Sequence, residues 1–199
     1  MGYIRLETLR DWIKLNDNVT QPDRKLQDCI EHASDLVDQH CYGGRVVSGG
    51  CFTVTDPDAE PSVRLFDSWG VDDFSSVAGL VVEVSTDWVN WSTLTINEDF
   101  RVGPLNAPTY GLAYHELIPL RHARSCATRV TTAAWGWPSV PGNVQAATKL
   151  VAHMLSQRSG DPYAVASIGD LPSRLRADDP HVVKLLQRFV RWDLTAGIA

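Results

Sequence analysis

The side chains best suited to hold a metal or attack a substrate are four cysteines and six histidines. Cys29 and His32 lie one helical turn apart and could share an ion, with His40 and Cys41 about three turns further on. No second close pair at standard zinc spacing follows, however. The better expectation is that Cys29 and Cys41 sit on the apolar face of a helix as small hydrophobes. Cys51 and Cys126 complete an even count, but no apolar leader marks secretion, so paired thiols are not expected. Asp56, Asp58, Glu60 and Asp67 imitate the ligand spacing of a calcium loop. Pro61 occupies the position where such a loop needs glycine, so an acidic surface turn is expected instead. His115-Glu116 and His122 are close in sequence, yet neighbours on a strand point to opposite faces and cannot serve one site. Asp161 and Asp170 fall in a loop without a nameable partner. The chain carries no Gly-x-Ser-x-Gly, His-Glu-x-x-His, phosphate loop or Gly-x-Gly-x-x-Gly. The residues therefore imply no catalytic site, no metal and no cofactor.

Charge excludes a further class. Residues 1–45 hold 6 basic and 8 acidic side chains, residues 46–135 hold 5 and 11, and residues 136–199 hold 7 and 5. A specific DNA or RNA binder needs a basic footprint to neutralise phosphates. Here the net charge is −6 and the middle segment is the most acidic. Trp88 and Trp91 sit in a turn and a strand start without interleaved Lys or Arg, and are expected to be half-buried. The clearest surface signal lies near the C-terminus. At 100° per residue, Val182, Leu185, Leu186, Phe189 and Val190 spread over one half of a helix. His181, Lys184, Arg188 and Arg191 form a narrow stripe on the other. Such a helix either packs on its own domain with the stripe in water or lies in an acidic groove of a partner.

The elements that must position these residues follow from periodicity. Leu6, Leu9, Trp12 and Ile13 predict a short first helix ending near Asn16-Asp17-Asn18. Thr20 can cap a second helix with Pro22 in its first turn. Leu26, Ile30, Ala33 and Val37 form its buried stripe, Asp28, Glu31, Asp35 and Asp38 face water, and Gly43-Gly44 ends it. From Val46 the period changes to short alternating runs. Candidate strands are Cys51–Thr55, Ser62–Phe66, Leu80–Ser85, Thr93–Ile96, Phe100–Val102, Tyr114–Leu120 and Ala127–Ala134. Breaks fall at Asp56-Pro57, Asp72-Asp73, Asp87–Asn90 and Pro104–Pro108, spaced as in an antiparallel sandwich or small barrel. After Gly136-Trp137-Pro138 the helical period returns, with Val144, Ala147, Val151 and Leu155 as one stripe. A loop at 159–173 precedes a last helix capped by Asp179, with Pro180 at its first position. The fold expected is α+β: residues 1–45 and 136–199 form a small helical bundle around an antiparallel β insertion at 46–135.

Composition agrees with a packed chain. The sequence has 199 residues, 44% hydrophobic and 21% charged, with seven Trp. That is enough to bury a core, and too apolar for disorder. No run of about 18 apolar residues suggests a membrane span, and the N-terminus lacks the apolar stretch of a signal peptide, so a soluble intracellular chain is expected.

The order of these pieces resembles the head–tail adaptor (head-completion, or connector) proteins of long-tailed bacteriophages. The likeness rests on three stretches: Tyr3-Ile4-Arg5-Leu6 through Asn16-Asp17 and the helix with Ile30, Ala33-Ser34 and Val37-Asp38; Gly136-Trp137-Pro138-Ser139-Val140-Pro141 through Gln157-Arg158; and the closing Asp179-Pro180-His181-Val182 helix with Leu185-Leu186, Arg188 and Arg191. The long β insertion departs from the compact helical members. The resemblance implies a structural virion protein rather than an enzyme. Its partners would be a portal protein, neighbouring copies in a dodecameric ring, and a downstream connector or tail component. DNA would pass through the channel without sequence-specific binding, and no membrane is involved. On that pattern Lys184, Arg188, Phe189, Arg191 and Trp192 become candidate portal contacts. The alternative is a β-sandwich binding module for carbohydrate or protein, mounted on helices, with Trp69, Trp88 and Trp91 as ligand platforms.

Overall fold

A computed structural model describes residues 2–13, 23–43, 50–121, 126–158 and 179–191. Among them the chain is α+β, with helices toward both ends and two antiparallel sheets between. It divides into two compact units, Met1–Phe52 with Val140–Ala199, and Thr53–Ser139.

The helical unit contains α1 (Leu6–Ile13), α2 (Asp23–Tyr42), α3 (Gly142–Arg158) and α4 (Pro180–Leu186). Helix α2 packs along α3, and α3 along α4. The stripes that meet are the apolar ones: Leu26, Ile30, Ala33 and Val37 on α2, and Val144, Ala147, Val151 and Leu155 on α3, are all buried. Apolar residues three and four apart leave a helix no other way to remove them from water. The α2 helix stops at Gly43, which takes the positive φ (63°) of a helix-ending glycine. Four rings close one end of this core. Phe52 is fully buried and meets Tyr3, Tyr42 and Phe189 edge-on, at 5.6, 5.4 and 5.8 Å between centroids. Edge-to-face contact suits the quadrupoles of such rings.

Asp38 does not face water with Asp28, Glu31 and Asp35, as helical spacing alone predicts. The Tyr3 hydroxyl donates to its Oδ1 at 2.5 Å, and the Cys51 backbone N–H donates to its Oδ2 at 3.0 Å. The same hydroxyl accepts the Phe52 N–H at 3.1 Å. Tyr3 is also held by its own N–H, which donates to Ser34 Oγ at 3.1 Å. This latch joins the N-terminal segment, α2 and residues 51–52 through hydrogen bonds between buried and partly buried polar atoms.

The β unit has strands β1 (Ser62–Phe66), β2 (Gly70–Phe74), β3 (Val81–Ser85), β4 (Ser92–Leu94), β5 (Phe100–Gly103), β6 (Tyr114–Pro119) and β7 (Ala127–Thr132). One sheet runs β1-β7-β3-β4 and the other β2-β6-β5. In the first sheet Leu65, Arg129 and Glu83 fall in one row, and Arg64, Val130 and Val82 in the next. Val71, Phe74, Val82, Phe100, Leu117 and Val130, drawn from both sheets, form a common apolar core. Where the chain enters and leaves the unit, Trp137 N–H donates to Thr53 O and Thr55 N–H to Trp137 O, both at 2.8 Å.

Two sequence expectations change here. Asp72-Asp73 is not a break but lies within β2, because both carboxylates are satisfied: Asp72 pairs with Arg64 at 2.6 Å, and buried Asp73 accepts the Trp137 indole N–H at 2.8 Å. Cys51–Thr55 is not a full strand: Cys51 and Phe52 form a turn, and Val54 makes only an isolated bridge to Trp137.

Candidate functional site

The cationic stripe is positioned by a short, well-capped helix. Asp179 Oδ1 accepts the N–H groups of His181 at 2.9 Å and Val182 at 3.2 Å. Pro180 fills the first helical position, where a missing N–H costs nothing. The buried side of α4 is Val182 and Leu186, at 2% and 1% exposure. Opposite them His181, Lys184 and Arg188 are exposed. Arg188 lies over the Phe189 ring, 4.7 Å from its centroid.

The structure places four of the five residues singled out from sequence, and it separates them. Lys184 and Arg188 lie at the surface. Phe189 is inside, packed on Phe52. Arg191 is inside as well, 7% exposed, with its backbone N–H donating to Cys41 O at 2.7 Å. The cause is a change of period. The α-helix ends at Leu186 and tightens into a 3₁₀ turn over Gln187–Phe189, and Val190 is extended at φ −70°, ψ 121°. The 100° spacing that aligned Arg191 with the stripe no longer applies. Trp192 lies outside the described residues, as do His122 and the 159–173 loop.

The other constellations resolve more simply. Cys29 and Cys41 are buried while His32 is exposed, so they do not share a face. Burial, with the Asp28 and Asp38 carboxylates beside them, pushes both thiols above the ordinary cysteine range and keeps them protonated. Among the described residues no group of three His, Cys, Asp or Glu could hold a metal ion. Asp56 turns its Oδ1 to the Asp58 N–H at 3.0 Å, as in an acidic surface turn.

The three tryptophans proposed as a platform have separate surroundings. Trp69 packs against the β core. Trp91 lies under the Arg129 guanidinium at 4.4 Å, and Arg129 pairs bidentately with Glu83 at 2.7 and 2.9 Å. Trp88 is 52% exposed, so about half of it is covered, as expected, and Val89 beside it is 76% exposed. The signal that could have found this pair is the Asp87–Asn90 break, since a carboxylate beginning a tight turn projects the residues it encloses.

No family model and no curated protein matches the chain. A solved structure does. It is described as the neck of an empty GTA particle computed with C6 symmetry, and the alignment covers 94% of this chain and 89% of that one. The two are 11% identical, with a TM-score of 0.40.

Proposed function

We propose that this chain is a structural protein of a phage-type virion, a head-to-tail adaptor. It docks as a ring beneath the portal, extends the DNA channel and seats the next connector or tail component, without catalysing a reaction. The observation that carries this reading is the composition of the helical unit. Helices from both ends of the chain, in the order on which the adaptor resemblance rests, share one core, and the β unit is inserted between them in sequence. The exposed Lys184 and Arg188 supply a cationic face whose register is fixed by the buried side of α4, suited to an acidic groove on the portal. A net charge of −6 suits a channel past which DNA must slide, since it avoids the tight phosphate contacts that would stall it. The carbohydrate-platform alternative has less support, because Trp69 and Trp91 are engaged within the β unit.

The test is co-purification with the portal encoded beside this chain, followed by imaging. Rings on the portal are expected for the wild type, and their loss for the Lys184→Glu/Arg188→Glu double variant with its circular dichroism unchanged. A wild-type chain that never joins the portal would refute the reading. Full binding by the double variant would move the docking face elsewhere.

A further inference from the structure

We propose that the tip of the β3–β4 hairpin, Trp88 with Val89, is an anchor that seats in an apolar pocket of another protein, one whose rim carries Lys or Arg. The inference goes beyond the adaptor reading and does not depend on it, since it concerns the β unit and not α4.

The tip is built to hold two apolar side chains out in water. Asp87 Oδ1 accepts the N–H groups of Val89 and Asn90 at 2.9 and 2.8 Å and the Ser85 hydroxyl at 3.0 Å. Its Oδ2 accepts the Asn90 side-chain amide at 2.7 Å. These bonds hold the carboxyl far below the usual carboxylate range, the Asn90 and Val89 contacts foremost. Between them Trp88 adopts φ +62°, a conformation unusual for a bulky residue. A turn that fixes its backbone this firmly has little freedom left to lose when it binds. Trp is also the residue most enriched among those that dominate protein–protein affinity.

The chemistry around the tip selects the partner. Residues 53–139 contain eleven Asp and Glu, five Arg and no Lys. Three of those arginines already pair with carboxylates, Arg64 with Asp72, Arg121 with Asp99 and Arg129 with Glu83. The surface field is therefore negative and complements a basic rim. It opposes the phosphates of a nucleic acid, whose bases could otherwise stack on Trp88, and an anionic bilayer. Sugar recognition needs polar groups beside the ring, and the Asp87 carboxylate and the Asn90 side-chain NH₂ next to Trp88 are engaged with each other and with the turn.

The experiment places a photo-crosslinking residue at the tip, Trp88→benzoylphenylalanine, in the full chain expressed in its native cell. Tyr110, 64% exposed on the same unit, is the control position. Adducts are mapped to the residue by mass spectrometry. The expected result is one dominant adduct at position 88, absent at 110, on a different protein, at an apolar segment flanked by Lys or Arg. Binding to that purified protein should then weaken about 30-fold or more for Trp88→Ala, less for Val89→Ser, and further with added salt. Four results would overturn the proposal: adducts at 88 no richer than at 110; a dominant adduct on a second copy of this chain or on nucleic acid; an adduct segment without basic residues; or Trp88→Ala binding within about twofold of wild type.

Discussion

Replacing Tyr3 with Phe should loosen the helical unit, and the loss should grow with pH. The substitution removes one oxygen and keeps the ring that packs on Phe52. Two groups then lose a partner: the Phe52 N–H, and the Oδ1 of Asp38. Losing these two bonds, one of them to a partly buried carboxylate oxygen, costs about 2–3 kcal/mol. With a slope of about 2 kcal/mol per molar urea, the midpoint falls by about 1–1.5 M. The pH dependence follows from Asp38. Burial raises its carboxyl above the ordinary Asp range, and the Tyr3 hydroxyl and Cys51 N–H partly offset that. A raised carboxyl pKa means that the folded state holds the proton more tightly than the unfolded one. Its contribution is therefore most favourable below the unfolded value, near 3.8, and is lost as pH rises through the folded value. Without the hydroxyl the ionised form has one bond fewer, so the folded value climbs further and the loss steepens. Urea melts from pH 4 to 8, with Asp38→Asn and the double variant completing a cycle, measure this directly. A Tyr3→Phe midpoint equal to wild type, or a deficit that widens toward acid, would refute the latch.

Other outcomes can be checked by the same melts. Thr148 is fully buried on α3, and its hydroxyl finds no hydrogen-bond partner among the described residues, so Thr148→Val should stabilise the helical unit by about 1 kcal/mol. Gly136 has φ +101°, and a Cβ there would stand 2.6 Å from Thr53 O, so Gly136→Ala should destabilise the β unit by at least about 2 kcal/mol. Leu186 is 1% exposed, and Leu186→Ala should cost about 2–5 kcal/mol, whereas exposed Lys184→Glu should change stability by less than about 0.5 kcal/mol.

What could be read in advance was whatever depends on neighbours in sequence. The stripes Leu26-Ile30-Ala33-Val37 and Val144-Ala147-Val151-Leu155 are buried as their spacing demands, because a helix fixes which residues share a face. Asp179-Pro180 was recognisable as a helix start, since a cap is a local hydrogen bond. Most of the strands followed from alternation for the same reason. Two of the corrections turn on a partner far along the chain. Asp38 looked solvated because Tyr3, 35 residues away, is invisible to a helical wheel. Asp72-Asp73 looked like a turn because Arg64 and Trp137 are what make two carboxylates tolerable in β2. Arg191 looked aligned with Lys184 and Arg188 because nothing local announces that the helix gives out after Leu186. The exposure of Trp88 likewise depends on what does not cover it.

The paired backbone bonds between Thr53, Thr55 and Trp137 bear on the order in which the chain can fold. Helix α3 is synthesised long after α2, yet each needs the other's apolar stripe. If the segment between them stayed open, joining the two would mean closing a very long loop. Once the insert has folded, its entry and exit segments are already clasped, and the effective closure shrinks to the residues between Tyr42 and Thr53 on one side and between Trp137 and Gly142 on the other. A roughly sevenfold shortening lowers the entropic cost of that closure by about 1.7 kcal/mol. The insert thus acts as an internal staple, and it can form on the ribosome before the second half of the helical unit exists.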